Sequence, residues 1–590
     1  MRLVSTAALF AILFVPSALI GQESSDLKKL LDDAWEFALQ EDPTFATHVG
    51  DHRFNDKLSH ESIADQVRRL EARRGLLVRW NAIDRTALTK PDRVNYDIFG
   101  RILRDEIAES DFEMFLIPIS NRWGFHIAFP ELPQQIPLNN VQDYENYTAR
   151  LREFSRLTDE NIELMRAGIE KGLVLPSVVL EGYRDPITAH IVDDPTKSLL
   201  YKPFDKCPER VTNEHRERLT AEGREAIVKH VVPSYQKFLQ FMQDEYVPNC
   251  RGSIAASALP NGRDYYRHRV RLFTTLDVTP DEVHATGQRE VQRIRAEMDQ
   301  IIKRVGFEGD FAAFVAHLRK EPRFYAETPE QLMKETAFVL KKMDGQLPKL
   351  FKTLPRTPYG IREIPAYIAP KTTTAYYQQP SGDGSQAGFY YVNTYNLKSR
   401  ALYEIEALSL HEAVPGHHLQ LALQQELTDI PAFRRFSPIT AFIEGWGLYA
   451  ERLGLEVGFY EDPYSDFGRL TYENWRACRL VVDTGMHYFG WTRQQAIDFM
   501  ADNTALSIHN IEAEVDRYIS WPGQALAYKT GELKIRELRA KAETELGDAF
   551  DIREFHEVVL GSGAIPLSVL SENVEEYIAT VRDAVHHPVP

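Results

Sequence analysis

From Leu27 onward, apolar residues recur at intervals of three and four, as in Leu27 to Leu39, Ile63 to Trp80 and Tyr144 to Met165. That period lays one face of an α-helix against a core, so the body of the chain is expected to be mainly α. Two later helices mark their own starts at Thr279-Pro280-Asp281-Glu282 and Thr328-Pro329-Glu330-Gln331. In each, Thr takes the N-cap, Pro the first helical position, and an acid or amide three residues on can close a capping box. Between Pro358 and Asn396 the texture changes to β-branched and aromatic residues with Pro and Gly, including Ile364, Tyr376, Tyr377 and Gly388-Phe389-Tyr390-Tyr391-Val392-Asn393. A small sheet is expected there. Helical spacing returns at Arg400 and runs nearly to the end. No fixed repeat, low-complexity linker or glycine-rich phosphate loop interrupts it, so one continuous α-rich, enzyme-sized domain over residues 22–590 is expected.

The first residues change the picture in one respect. An apolar run to Ile20 follows Met1-Arg2-Leu3 and gives way to Gly21-Gln22-Glu23-Ser24, the layout of a signal peptide spanning 1–21. Export to the periplasm or beyond is expected, with an uncleaved anchor as the alternative, because a run of this length just spans a bilayer. No Cys follows the run, so a lipid-modified N-terminal Cys is not expected, nor is membrane association after cleavage. Lys and Arg number 69 against 86 Asp and Glu, a net charge of −17 that repels phosphate backbones and sets nucleic acid aside as a partner. Cys207, Cys250 and Cys478 are too few for a disulfide scaffold and lack metal-ligand spacing. Cys207 and Cys250, both in Pro-containing segments, are the candidates for a disulfide, with their separation undetermined. Oligomeric state is not legible.

The chemistry concentrates in Leu408-Ser409-Leu410-His411-Glu412-Ala413-Val414-Pro415-Gly416-His417-His418-Leu419-Gln420. Neutral imidazoles bind zinc well, and an adjacent Glu can take a proton from an activated water. The spacing departs from H-E-x-x-H, in which two ligands sit one turn apart. On an unbroken helix His418 would face as His411 does but about 10 Å further along, and His417 would point elsewhere. Pro415 cannot donate to the carbonyl of residue 411 and Gly416 permits unusual angles, so a break is expected that returns His417 or His418 to His411. Glu444, in the apolar, small-residue stretch Ala441 to Ala450, is the candidate third ligand, since a buried carboxylate needs a partner. Glu451 is a candidate to hold a ligand histidine in one tautomer. Arg476 and Arg479 share a helix face and either grip a substrate carboxylate or pair with surface acids.

The chain resembles the bacterial "domain of unknown function 885" family, predicted metallopeptidases. The resemblance is carried by Ala258 to Gly262 with Tyr265-Tyr266, Gly388 to Asn396, His411 to Gln420, Glu444-Gly445-Trp446, Val482 to His487 with Gly490-Trp491-Thr492, and Trp521 to Lys529. The pattern is in turn similar to the thimet oligopeptidase, carboxypeptidase Taq and angiotensin-converting enzyme group, in which two helical lobes enclose a cleft. That similarity implies a helical lobe over 22–357, a sheet region over 358–400 and a zinc-bearing lobe over 401–590. It implies Zn²⁺ on His411, His417 and Glu444, with His418 the alternative to His417, and Glu412 as general base. It implies His487 or Tyr528 as the group that steadies the oxyanion. It also implies an edge strand at Gly388 to Asn393 that pairs with substrate backbone, so that Tyr391 and Asn393 are candidate substrate contacts, joined by Arg479 as a candidate grip on a carboxylate. The expected activity is hydrolysis of peptide bonds in short peptides. A zinc hydrolase of another amide or modified amino acid, and a catalytically silent binding protein, are the rival expectations.

Overall fold

A computed structural model describes residues 17–586 apart from 367, 383 and 385, so most of the expected signal segment lies outside the described residues. The molecule is mainly α with one small sheet, as the periodicity predicts. Helices α1 (Ser17–Glu41), α2 (Ile63–Asn81), α3 (Lys90–Asp111) and α4 (Val141–Lys171) come first. The last of these opens with a capping box between Asn140 and Asp143 and stops at Gly172, whose φ of 71° favours a residue without a side chain. Helices α5 (Gly262–Thr274), α6 (Pro280–Arg304) and α7 (Pro329–Asp344) follow, and the expected Thr279 and Thr328 caps are in place.

The sheet has order β1-β3-β2, from β1 (Tyr359–Glu363), β2 (Ala375–Gln378) and β3 (Gly388–Val392). β3 pairs parallel to β1, with Tyr359 opposite Gly388, and antiparallel to β2, with Ala375 opposite Val392. This corrects the expected edge strand. β3 is central, both its edges are already hydrogen-bonded, and no row of backbone groups is left on it for a substrate.

The remaining elements build the site: α8 (Ile405–Glu412), α9 (His417–Glu426), α10 (Thr440–Leu453), α11 (Pro463–His487), α12 (Ile508–Ser520) and α13 (Ala527–Leu546). Every residue of α11 from Phe467 to His487 is buried, so it is a central helix whose polar side chains must find partners inside the protein. It crosses α6 where a Cβ on Gly287 would come within 2.7 Å of Leu480. The largest hydrophobic core draws on residues from Leu58 to Ile578, so the two stretches of helix share one interior. The three cysteines are free; Cys250 turns its thiol to the Tyr246 carbonyl at 3.4 Å, and the Cys207–Cys250 bridge is not formed. Among the described residues no helix is long and apolar enough to cross a membrane.

Candidate metal centre

The break foreseen at Pro415 creates the site. Helix α8 stops at Glu412, Ala413 turns the chain at φ −111°, ψ −99°, the Val414–Pro415 peptide is cis, and α9 starts afresh at His417. Gly416 is packed so tightly under α8 that a Cβ there would lie 1.9 Å from the His411 carbonyl oxygen, and only glycine fits. Two hydrogen bonds hold the turn: His418 N–H to the Ala413 carbonyl at 3.0 Å, and the buried Trp446 indole N–H to the Pro415 carbonyl at 2.9 Å. The two histidine rings thereby come to 4.6 Å between centroids, nearly perpendicular at 82°.

Helix α10 supplies the third group. Glu444 Oε2 lies 3.6 Å from His411 Nε2 and 3.5 Å from His417 Nε2, and one ligand atom from each residue falls within 4.8 Å of the others. These separations are long for direct hydrogen bonds. They suit the edges of a tetrahedron of zinc ligands, which span about 3.3 Å when each ligand is about 2 Å from the ion. The donor set of two imidazoles and a carboxylate fits zinc as well. His411 Nδ1 is bonded to Glu451 Oε1 at 2.8 Å, which turns Nε2 toward the cluster, and Arg476 Nη2 stands 3.3 Å behind the same Glu451 oxygen. Burial opposes charge on His411, but Glu444 and Glu451 outweigh it and raise the ring to about 9. Burial likewise opposes charge on Glu444, yet the two histidines hold it well below the usual carboxylate range.

Packing between helices places the flanking residues. A Cβ on Gly447 would press within 2.8 Å of the His411 ring, so α10 lies directly on that ligand. A Cβ on Gly531 would meet the Ala441 carbonyl at 1.9 Å, and one on Gly445 would meet the Gly531 Cα at 2.5 Å, so α10 and α13 touch backbone to backbone. That contact brings Tyr528, one turn before Gly531, into the field of Glu444; burial and then Glu444 raise its phenol. Glu412 is half-buried at the end of α8 and its carboxylate makes no hydrogen bond to another described residue, while the Tyr390 phenol from β3 lies in its field.

The other candidates are placed differently. His418 points away from the ligands: its Nδ1 bonds the Tyr377 hydroxyl at 2.8 Å, its ring packs on Tyr359, and burial lowers it to about 4. His417 is therefore the residue that joins His411. His487 is fully buried, accepts from Ala256 N–H through Nδ1 and donates from Nε2 to the Tyr518 carbonyl, so no ring nitrogen is left for an oxyanion; Tyr528 alone keeps that candidacy. Asn393 is spent on backbone, donating to the carbonyls of Ala369, Thr372 and Thr373, and Tyr391 stacks on Tyr376 at 4.8 Å. The Asn393 amide thus has no donor left for a substrate, and Tyr391 is engaged within the sheet. Arg479 is buried rather than at the surface, stacked 4.2 Å from the Tyr528 ring and bonded to Glu514 and Tyr518. Its partners were beyond the reach of sequence reasoning, since nothing local ties Arg122, Arg479, Glu514 and Arg517 together.

A cavity of about 1100 Å³ opens between α1, α3, α5 and the segment leading into α10, lined by Trp35, Phe99, Phe273, Phe436, Ile439 and Trp521. The three ligands are not part of its wall, but Thr440 is, one turn of α10 from Glu444.

The chain belongs to a family of bacterial proteins of unknown function, DUF885, whose model matches residues 43–574. It is similar in structure to a predicted lipoprotein from Colwellia psychrerythraea, with a TM-score of 0.90 and 28% identity over 95% of this chain and 99% of that one. A predicted lipoprotein of unknown function from Shewanella oneidensis shares the fold, with a TM-score of 0.69 and 18% identity over 93% of this chain and 99% of the other. None of the curated proteins matches.

Proposed function

We propose that the protein is an exported, zinc-dependent hydrolase that cleaves peptide bonds in short peptides. The observation that carries this reading is the folding back of α9 on α8, which brings His411, His417 and Glu444 around one point, with Glu412 next to His411 in the chain and its carboxylate in no hydrogen bond to the other described residues. The N-terminal signal layout supports export, as does the description of the Colwellia psychrerythraea neighbour as a predicted lipoprotein. When bound, zinc supplies Lewis acidity, which makes water acidic enough to attack near neutral pH. Glu412 accepts the proton of the attacking water and passes it to the leaving amine. The Tyr528 hydroxyl donates to the oxyanion that develops on the carbonyl, in a site where burial strengthens each hydrogen bond. Glu451, backed by Arg476, fixes the His411 ring.

Metal content of the purified mature protein tests the first half. About one zinc per chain is expected in the wild type and in His418→Ala, lost in His411→Ala, His417→Ala and Glu444→Ala. Glu412→Gln should keep its metal and lose roughly a hundredfold or more of its turnover on a peptide library. A wild type that refuses zinc, or a Glu412→Gln variant with full activity, would overturn the reading. Library digestion without cleavage ladders, with a metal present, would move the substrate to another amide.

A further inference from the structure

Three guanidinium groups converge on the single carboxylate of Glu514. Arg517 Nη2 and Arg479 Nη2 stand 2.9 and 3.1 Å from Oε2, and Arg122 Nη1 3.4 Å from Oε1. Their other partners are neutral: the Ala513 carbonyl for Arg122, the Tyr518 hydroxyl for Arg479 and the Gln524 side chain for Arg517. Asp483, which lies in the field of Arg517, is taken up by the Tyr266 hydroxyl and Gly523 N–H, and burial pushes it up to about 7. The cluster thus holds two more cations than anions, and uncompensated buried charge is costly. A second observation is independent of this count. Arg479 is 4% exposed, yet its Nη1 has no hydrogen-bond partner, although the guanidinium is clamped between the rings of Trp475 at 4.4 Å and Tyr528 at 4.2 Å. Arg122, at 26% exposure, is the member of the cluster that reaches solvent. Arg479 stacks on Tyr528, which α13 carries one turn before its backbone contact with α10, the helix of Glu444, so the cations stand next to the helix pair that holds the third ligand.

We propose that Arg122, Arg479 and Arg517 form a carboxylate-binding subsite beside the metal centre, so that the enzyme acts on peptides with a free C-terminal carboxylate. The assignment rests on the peptidase reading. The guanidinium fork matches a carboxylate in shape as well as charge, and Glu514 shows that this cluster accommodates one. An incoming carboxylate shares the arginines that Glu514 leaves under-neutralised, and its peptide bond is drawn toward Glu412 and Tyr528.

The test uses the tetrapeptide Gly-Gly-Phe-Phe as the free acid, its C-terminal amide, and an amide of the same length ending in Glu. Each is measured as kcat/KM on the zinc-loaded wild type and as Kd on Glu412→Gln, which separates binding from turnover. The free acid should be favoured over both amides by roughly tenfold or more in each measurement, and Arg122→Gln and Arg517→Gln should each shrink that preference to about threefold. Arg122 is the more exposed, so its variant keeps the test alive if Arg517→Gln fails to fold. Equal kcat/KM and Kd for acid and amide would overturn the subsite and leave the peptidase standing. A preference regained by the terminal Glu side chain would overturn the assignment to the C-terminus. Tighter binding of the acid with no cleavage of any peptide would remove the peptidase and keep the subsite.

Discussion

Tyr528 and Lys529 are neighbours on α13, yet they belong to two buried charge clusters that follow different rules. Lys529 is fully buried and meets Glu290, Glu473 and Glu532 at 3.1, 2.8 and 2.9 Å. Around it Arg293, Arg469 and Arg536 each face at least two carboxylates, Glu473 being common to all three. Every cation there is answered by protein, which is the condition for an ionic group to survive in an interior. Around Tyr528 the pairing is incomplete on both sides. His411, His417 and Glu444 gather around one point at separations longer than direct hydrogen bonds, and three arginines share one acid. Charged residues in apolar helices look alike in sequence; completeness of pairing is what separates a strut from a site.

The comparison breaks first, and hardest, at Lys529. Lys529→Met leaves Glu473 and Glu532 short of a partner and should cost about 3–5 kcal/mol in urea unfolding while the folded fraction still binds metal. A variant as stable as wild type would mean that the network is not structural. At the site the effects should run the other way. Glu451→Gln should weaken zinc affinity roughly tenfold to a hundredfold in competition with a chelator, with thermal stability of the metal-free protein little changed. Unaltered affinity would remove Glu451 and Arg476 from the support of His411. The smallest effect is expected from His418→Gln, which forfeits the Tyr377 hydrogen bond for about 1 kcal/mol and leaves metal content untouched. Loss of zinc in that variant would return His418 to the ligand set.

How much of this was legible follows from how local each signal is. Helix α6 could be read to its first residue because Thr279, Pro280 and Glu282 carry the cap within four positions. The break at Pro415 could be read because it needs only the missing N–H and a glycine, and it brought His411 and His417 together as the pattern required. Whether His417 or His418 would return depended on Tyr359 and Tyr377, more than forty residues away in chain, which claim His418 for the sheet. The central position of β3 was hidden for a similar reason: its partners flank it on one side of the sequence, and strand order is not encoded in alternation. The resemblance offers His487 for the oxyanion, and a histidine in a helix gives no sign that two backbone groups, at residues 256 and 518, will satisfy it.

The contact between Gly445 and Gly531 has a consequence for how this protein can change over time. The spacing between the third ligand and the phenol is set by main chain against main chain rather than by side chains that fill a gap. Substitutions in the surrounding core can therefore accumulate without retuning the distance between Glu444 and Tyr528. A single methyl group at either glycine would displace both at once, so these two positions, neither of which offers any functional group, tolerate drift poorly.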